Sequence, residues 1–264
     1  MERIDGKVVW VTGASSGIGE GLARELGKKG CKLILSSRKE EQLREVAAQC
    51  GPAENVKTLP LDLGDFDALP QKVTQALSFF GRVDVLINNA GVSQRSLILD
   101  TDFEVYKKLM DINYLGTVAL SKALLPYFIQ RQKGHYVTVT SLMGKFGSPY
   151  RSGYCGAKHA LHGFFDVLRM EHEKDGIAIT LVCPGFVQTN VAKNALTADG
   201  SPQESDDTAT QQGLPVAVFA NRMIKAVERK KYEAYIGRGE VKGIYLKRFF
   251  PKMLHKVVLK SIVK

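Results

Sequence analysis

The stretch V-T-G-A-S-S-G-I-G at residues 11–19 constrains the fold more than any other part of the chain. It follows the apolar run 7–11 and precedes an amphipathic pattern with helical spacing, so it predicts a strand that turns tightly into a helix. Gly13 permits the sharp turn, Gly17 lets the backbone approach a pyrophosphate, and Gly19 permits close packing of helix against sheet. The stretch therefore predicts a dinucleotide site, although such a turn can also serve only to pack a strand against a helix.

Short runs rich in Val and Ile alternate with helical patterns along the chain. The predicted strands are 7–11, 31–36, 56–61, 83–88, 135–140, 177–183 and 232–236. The predicted helices are 17–29, 39–49, 66–80, 102–131, 152–174 and 215–230. Regular alternation of this kind is typical of a parallel sheet with helices on both faces. We therefore expect one α/β domain at 1–240, a Rossmann-like doubly wound sheet of about seven parallel strands, and a basic tail at 241–264.

Cysteine and histidine usage gives no sign of a metal site. The four cysteines are far apart, and no histidine has cysteine or acidic residues at metal-ligand spacing, so we expect neither a disulfide framework nor a bound metal. No apolar run reaches the roughly 18 residues of a membrane span. The N-terminal residues already have the pattern of a strand and not of a signal peptide, which favours a cytoplasmic location.

The net charge of +10 is concentrated at the C-terminal end of the chain. Residues 221–264 contain 13 Lys and Arg but only 3 Asp and Glu, whereas the remaining residues are balanced. Basic residues and aromatics occur together only there, without a recognition motif. Nucleic acid is therefore not an expected partner.

The end of the second predicted strand bears on the choice of cofactor. Ser37 stands where dinucleotide-binding proteins often have an acid for the ribose hydroxyls, and Arg38 follows it. A serine and a guanidinium could bind a 2′-phosphate, which a carboxylate would repel. The pattern favours NADP(H) over NAD(H), unless Arg38 is only a solvated surface charge.

The segment Y-C-G-A-K at 154–158 places Tyr154 and Lys158 on one face of a predicted helix. A neighbouring ammonium favours the phenolate and would lower the pKa of the tyrosine, which could then act as general acid or base. Ser141 ends the predicted strand 135–140, at the edge of the sheet where α/β folds bind ligands. Its hydroxyl could hold a substrate carbonyl, or could simply cap the strand end.

Across about residues 5–240 the chain resembles the short-chain dehydrogenase/reductase family. The residues that carry the resemblance are Thr12-Gly13-Ala14-Ser15-Ser16-Gly17-Ile18-Gly19, Asp62-Leu63, Asn88-Asn89-Ala90-Gly91, Asn113, Ser141, Tyr154, Lys158 and Pro184-Gly185. The stretches NNAGVSQRS, KALLPYFIQRQKGH, GSPYRSGYCGAKHALHGFF and TNVAKNALTADGS are similar to the dehydrogenase/reductase member 7 subgroup, which is related to 11β-hydroxysteroid dehydrogenase-like enzymes. The resemblance implies an oxidoreductase acting on a carbonyl or secondary alcohol with NADP(H).

By this resemblance, four residues would be catalytic: Asn113, Ser141, Tyr154 and Lys158. Asn113 would hold a water that relays protons to Lys158, unless it is only a buried hydrogen-bonding residue of its helix. Asp62 would contact the adenine. The cofactor-binding set would be Gly13, Ser15, Ser16, Gly17, Ile18, Gly19, Ser37, Arg38, Asp62, Leu63, Asn89, Ala90, Gly91, Tyr154, Lys158, Pro184, Gly185, Val187 and Thr189. Relatives commonly pair through the helices that carry Asn113 and Tyr154, so a homodimer or homotetramer is implied.

The substrate side is predicted to be apolar. The expected pocket residues are Ser141, Leu142, Met143, Phe146, Tyr150 and Phe186. The polar segment within 190–214 would be a substrate loop or lid, or else a passive insertion. An apolar pocket suits a lipophilic ketone, aldehyde or steroid-like alcohol, although core packing explains several of these residues equally well.

The tail mixes aromatic and aliphatic residues with lysines at 245–264, with Pro251 between them. The pattern suits an interfacial helix on anionic lipid, which would attach the protein peripherally to a membrane. Subunit packing and a solvated tail are the alternatives. A second functional interpretation is a catalytically weak NADP(H)-binding regulatory or scaffold protein on the same fold.

Overall fold

Buried runs of valine, leucine and isoleucine form a sheet of seven parallel strands in a computed structural model that describes residues 2–205 and 207–261. The strands are β1 Val8–Thr12, β2 Lys32–Ser36, β3 Val56–Thr58, β4 Val85–Asn88, β5 Gly134–Val139, β6 Ile177–Pro184 and β7 Glu233–Ile236. Their order across the sheet is β3-β2-β1-β4-β5-β6-β7. Each predicted strand is present, and the ends differ by a few residues.

The helices alternate with the strands and then continue into the tail. They are α1 Gly17–Lys28, α2 Glu40–Ala47, α3 Leu69–Phe80, α4 Phe103–Met110, α5 Gly116–Arg131, α6 Ser152–His172, α7 Thr208–Gln211, α8 Val216–Glu228, α9 Lys242–Phe249 and α10 Pro251–Lys260. Proline begins α10, in keeping with its preference for the first turn of a helix.

Two apolar cores lie on opposite faces of the sheet. On one face, Val9 and Val11 of β1 pack with Leu22 of α1 and Phe219 of α8. On the other face, Trp10 of β1 packs in the core to which α3, α5 and α6 contribute. Successive strand residues point to opposite faces, so a strand buried on both sides is apolar throughout. The predicted doubly wound α/β fold is confirmed.

The strand order reverses at β1, which has β2 on one side and β4 on the other. Ligands of open α/β sheets bind beyond the carboxyl ends of the strands at such a point. The glycine turn after β1, the Asn89–Gly91 turn after β4 and Ser141 after β5 all lie at this edge. The fold therefore brings together segments that are far apart in the chain.

The predicted helix 102–131 is interrupted. A π-helical turn, Asp111–Leu115, separates α4 from α5 and contains the fully buried Asn113. A wider turn of this kind changes which residues face the protein while helical backbone continues through it. The sequence pattern missed the interruption because both flanking helices keep the apolar spacing of a helix.

The segment after β6 is more ordered than its polar composition suggested. Ala195 and Leu196 are buried, and Leu196 pairs with Gln94 through a parallel bridge. The short helix α7 follows, capped by the Asp207 carboxylate, which accepts from the Thr210 backbone N–H at 2.6 Å.

The tail packs back onto the body of the fold. Leu254 of α10 is buried against Leu142, Phe146 and Cys183. The predicted tail thus forms two helices that share a small core with residues at the carboxyl ends of β5 and β6, and its residues 262–264 lie outside the described residues. Among the helices that the structure describes, none is both long and apolar enough to cross a bilayer.

Candidate active site

The glycine turn after β1 forms one end of a cavity of about 1020 Å³. Gly13 has φ +65°, and a Cβ there would lie 2.7 Å from Cα of Ala90, so only glycine fits. Gly17, at φ +58°, faces Thr189, and a Cβ there would lie 3.2 Å from its methyl group. A cradle with no room for side chains fits a pyrophosphate that approaches the backbone at the start of α1.

Most of the predicted cofactor residues line this cavity. Those that do are Gly13, Ser15, Ser16, Gly17, Ile18, Ser37, Arg38, Asp62, Leu63, Asn89, Ala90, Gly91, Tyr154, Lys158, Pro184, Gly185, Val187 and Thr189. Gly19 does not. A Cβ on Gly19 would lie 2.2 Å from the Gly13 carbonyl oxygen, so this glycine acts in packing the helix against the turn.

Thr12 connects the glycine turn after β1 to the Asn89–Gly91 turn after β4 through hydrogen bonds. Its hydroxyl oxygen accepts from the backbone N–H groups of Asn89, at 3.0 Å, and Ala90, at 3.1 Å. The Asn89 amide in turn donates to the Thr12 carbonyl at 3.0 Å. Sequence reasoning used Thr12 only as part of a motif and assigned it no role.

The rim of the cavity beyond β2 is exposed and carries positive charge. Ser37 exchanges hydrogen bonds with the backbone of Lys39, and Arg38 is exposed at the cavity rim. Asp62 accepts from the Gly64 N–H at 2.9 Å, which fixes its carboxylate. No acidic residue follows β2 directly, so a group with a negative charge can approach Ser37 and Arg38 without repulsion from that strand end.

Ser141, Tyr154 and Lys158 meet at the other end of the cavity. The Lys158 ammonium donates to the Val139 carbonyl at 3.0 Å and lies 5.8 Å from the centre of the Tyr154 ring. The Ser141 hydroxyl oxygen accepts from the Met143 N–H at 3.0 Å and is also a hydrogen-bonding neighbour of the Tyr154 phenol. Ser141 therefore caps the short helical turn Leu142–Gly144 that follows β5, and its hydroxyl also lies beside the tyrosine.

Burial shifts the pKa values of Tyr154 and Lys158 in opposite directions. It raises the pKa of Tyr154 above its ordinary value, whereas the hydrogen bond with Ser141 and the charges of Arg151 and Arg95 act in the opposite direction. Burial likewise lowers the pKa of Lys158 to about 8, because it penalises the charged ammonium. The net shift of the tyrosine pKa is therefore upward, opposite to the lowering expected from the spacing of Tyr154 and Lys158, because desolvation is the largest effect.

The buried Asn113 side chain binds the backbone of the segment that follows β4. Its side-chain oxygen accepts from the Val92 N–H at 2.9 Å, and its amide donates to the Val92 carbonyl at 3.0 Å. A Cβ on Gly91 would lie 2.5 Å from this oxygen and 3.4 Å from the Lys158 nitrogen, so Gly91 passes between the two side chains. Asn113 holds the turn after Asn89, and its proton-relay role stays a prediction.

The segment after β6 is fixed by a residue that sequence reasoning missed. Glu240 accepts from the Phe186 N–H at 3.1 Å, and a Cβ on Gly185 would lie 2.0 Å from the same carboxylate oxygen. Gly185 also donates to the Ile236 carbonyl at 2.9 Å. Nothing in the local sequence signals a contact between residues more than 50 positions apart.

The end of the cavity beside Ser141 and Tyr154 is mostly apolar. Leu142, Met143, Phe146 and Phe186 line it, as predicted. Tyr150 is not among the residues that line this cavity, and its place in a substrate pocket stays a prediction. Its backbone is left-handed, at φ +67°, and its carbonyl accepts from the Ser96 N–H at 3.1 Å.

The tail and the segment after β6 complete this end. The tail residues that line the cavity are Lys242, Gly243, Leu246, Leu254, Val257, Val258 and Ser261. From the loop side, Arg95 forms a buried ion pair with Asp207 at 2.8 Å, which ties α7 to the segment after β4. The apolar spacing of the tail could have indicated that one of its faces is buried, but no local pattern indicates the ion pair.

Within residues 2–205 and 207–261, no three His, Cys, Asp or Glu side chains come together as a metal-binding group. The side chains that can exchange protons or bind hydroxyl groups at this end of the cavity are those of Tyr154, Ser141 and Lys158. A phenol with a hydrogen-bonding serine beside it can exchange a proton with a substrate oxygen, and a buried ammonium can bind hydroxyl groups.

Comparison with known proteins agrees with this geometry. The sequence model of the family described as "short chain dehydrogenase" matches residues 7–200. The chain is 48% identical over 198 residues to human dehydrogenase/reductase SDR family member 7, a match that covers 73% of this chain and 58% of the relative. It is 37% identical over 268 residues to a member 7-like protein of Drosophila melanogaster, covering 99% of this chain and 82% of that one.

Solved structures show the same fold. A short-chain dehydrogenase/reductase from Burkholderia phymatum, in complex with NAD, superposes with a TM-score of 0.84 at 22% identity and covers 96% of both chains. A short-chain dehydrogenase from Streptomyces avermitilis gives a TM-score of 0.81 at 26% identity over 97% of each chain.

Proposed function

Because this chain belongs to the short-chain dehydrogenase/reductase family, we propose that it transfers hydride between NADP(H) and a carbonyl or secondary alcohol, with Tyr154 as general acid and base. The observation that carries the proposal is the single cavity with the glycine turn at one end and Ser141, Tyr154 and Lys158 at the other. A nicotinamide cofactor would supply or accept the hydride. The chain's own residues supply the proton.

In the reducing direction, the Tyr154 hydroxyl gives its proton to the oxygen of the substrate carbonyl. Ser141 binds the same oxygen, since its hydroxyl lies beside the phenol. Burial keeps the tyrosine protonated, so it is ready to donate at neutral pH. In the oxidising direction, the positive charges of Lys158, Arg151 and Arg95 favour the phenolate that must accept the proton.

Cofactor choice is proposed to favour NADP(H). The support is the exposed Arg38 beside Ser37 at the adenosine end of the cavity, with no carboxylate on that strand end. A guanidinium pairs well with a phosphate, and this contact is absent for NAD(H).

The substrate is proposed to be a lipophilic ketone, aldehyde or steroid-like alcohol. The walls beyond Tyr154 are made by Phe146, Phe186, Leu246 and Leu254. Small-molecule sites combine such apolar walls with a few converging polar groups that orient the ligand, here those of Ser141 and its neighbours.

We further propose that the tail touches an anionic membrane surface while the protein otherwise resides in the cytoplasm. The support is the outward face of α9 and α10, where Phe249 is 67% exposed and Phe250 is 62% exposed. Lysines and an arginine flank them, and the sequence from 241 to 264 has no acidic residue. Exposed aromatics among basic residues favour binding to anionic lipid. Association into a homodimer or homotetramer is likewise a proposal, and the exposed Met170 of α6 is compatible with it.

A substrate screen tests the proposed reaction. Purified protein is mixed with NADPH and a panel of steroids, retinoids, quinones and acyl ketones, and absorbance of the reduced cofactor is followed. We expect oxidation of NADPH with at least one carbonyl. Tight NADPH binding without turnover on the whole panel would favour the alternative, a regulatory or scaffold protein on the same fold.

A further inference from the structure

Gln94 lies fully buried between three segments of the active site. Its backbone pairs with Leu196 of the substrate loop: Arg95 N–H donates to the Leu196 carbonyl at 2.8 Å, and Leu196 N–H donates to the Ser93 carbonyl at 2.9 Å. Its side chain points to the start of α6. One residue thus joins the substrate loop to the helix that carries Tyr154.

The side-chain oxygen of Gln94 accepts two backbone N–H groups of the first turn of α6, from Gly153 at 2.8 Å and from Tyr154 at 3.2 Å. The first N–H groups of a helix have no partner within the helix. Arg151, at the N-cap position, gives no side-chain cap of its own. Gln94 therefore supplies, from about 60 positions away, the cap that a serine or aspartate gives elsewhere.

The other end of the amide fixes the orientation of the side chain. The Gln94 nitrogen donates to the hydroxyl oxygens of Ser96 at 3.1 Å and Thr101 at 3.4 Å. The glycine at 153 allows the close approach, since a Cβ there would lie 2.8 Å from Leu109 and 3.3 Å from the Gln94 oxygen. All polar atoms of the side chain are thereby satisfied in a fully buried position.

We infer that Gln94 is a positioning residue for catalysis: it caps the first turn of α6 and so fixes the backbone from which the Tyr154 phenol reaches the substrate oxygen. A shift of about 1 Å in a reacting group can cost on the order of 100-fold in rate. Loss of the cap would let the first helical turn loosen around the tyrosine, while the glycine turn that binds the cofactor stays in place. The inference rests on the proposed function for its kinetic part and on the hydrogen bonds for its structural part.

The structural part is tested by amide hydrogen exchange at Gly153 and Tyr154. In the wild-type protein both amides should be protected although they lie in the first turn of a helix. Gln94→Met keeps the volume and removes the acceptor, and should speed exchange at both sites by roughly 10-fold or more. Gln94→Glu keeps an acceptor oxygen and should restore protection. Unprotected amides in the wild-type protein, or no loss in Gln94→Met, overturn the inference whether or not the variant retains activity.

Measurements of kcat and of the Kd for NADPH separate a positioning role of Gln94 from a general loss of structure. For Gln94→Met we expect kcat to fall by roughly 10-fold or more while the Kd for NADPH stays within about 3-fold, and Gln94→Glu should recover most of kcat. Gln75 is an exposed glutamine on α3, so Gln75→Met is the matched control. It should change neither kcat nor the Kd for NADPH. A fall in kcat matched by an equal loss of cofactor binding overturns the inference. An inactive wild-type protein contradicts the proposed function instead, and the exchange data then decide the inference alone.

Discussion

Replacement of Lys158 by methionine should stabilise the folded protein at neutral pH. Burial lowers the pKa of the lysine from 10.5 to about 8, so holding its ammonium inside the protein costs free energy. Each unit of pKa corresponds to about 1.4 kcal/mol, which gives a cost of about 3 kcal/mol at pH 7. Methionine has a similar volume and carries no charge.

The gain is smaller than the whole cost because the variant loses one hydrogen bond. The Lys158 ammonium donates to the Val139 carbonyl at 3.0 Å, and leaving that oxygen without a donor costs about 1 kcal/mol. The net stabilisation is therefore about 2 kcal/mol, or roughly 4–8 °C in Tm for a chain of this size. Turnover should be lost, since the buried ammonium that favours the phenolate is gone.

The difference in stability between Lys158→Met and the wild type should depend on pH, in the direction set by the shift of the lysine pKa. The lysine pKa is lower in the folded than in the unfolded chain, so the cost is fully present below pH 8 and fades as the pH rises toward 10.5. Thermal unfolding of both proteins from pH 7 to 10 should show the gap in Tm closing. The control Lys122→Met, at an exposed position on α5, should differ only a little from the wild type in Tm at any pH. A Lys158→Met protein that melts below the wild type at pH 7, or a gap that does not change with pH, would refute the reasoning.

Three further outcomes are expected. Thr12→Val leaves the N–H groups of Asn89 and Ala90 without their acceptor. It should therefore lower the free energy of unfolding by about 2 kcal/mol and weaken NADPH binding. The control Thr74→Val, at an exposed position, should change neither quantity. Arg38→Leu should weaken NADPH binding by roughly 10-fold or more without changing the Kd for NADH, and equal effects on both cofactors would contradict the assignment of Arg38 to the 2′-phosphate. The double variant Phe249→Ser and Phe250→Ser should co-sediment less with anionic liposomes than the wild type, while the core contact of Leu254 is kept; equal pelleting would exclude the membrane surface.

The glycine turn after β1 could be predicted because its backbone conformation requires particular residues. A turn that needs φ > 0 and a close backbone approach requires glycine, and both Gly13 and Gly17 meet these requirements. The pair Tyr154 and Lys158 was visible for the same reason, since helical spacing puts both on one face. The strands followed from their apolar runs, which a sheet buried on both faces demands.

What the sequence could not indicate depends on contacts between distant segments. The Gln94 cap, the ion pair of Arg95 with Asp207 and the Glu240 carboxylate each join positions more than 50 residues apart. The direction of the Tyr154 pKa shift was misjudged because spacing reveals a neighbouring charge but not the depth of burial.

Tyr154→Phe tests the central claim most directly, because it removes one oxygen and leaves the packing of the ring. The measurement is single-turnover oxidation of bound NADPH by a carbonyl that the wild-type protein reduces, together with the Kd for NADPH. We predict a loss of turnover of roughly 1,000-fold or more with a Kd within about 3-fold of the wild type. Substantial turnover in this variant would contradict the assignment of Tyr154 as the proton donor.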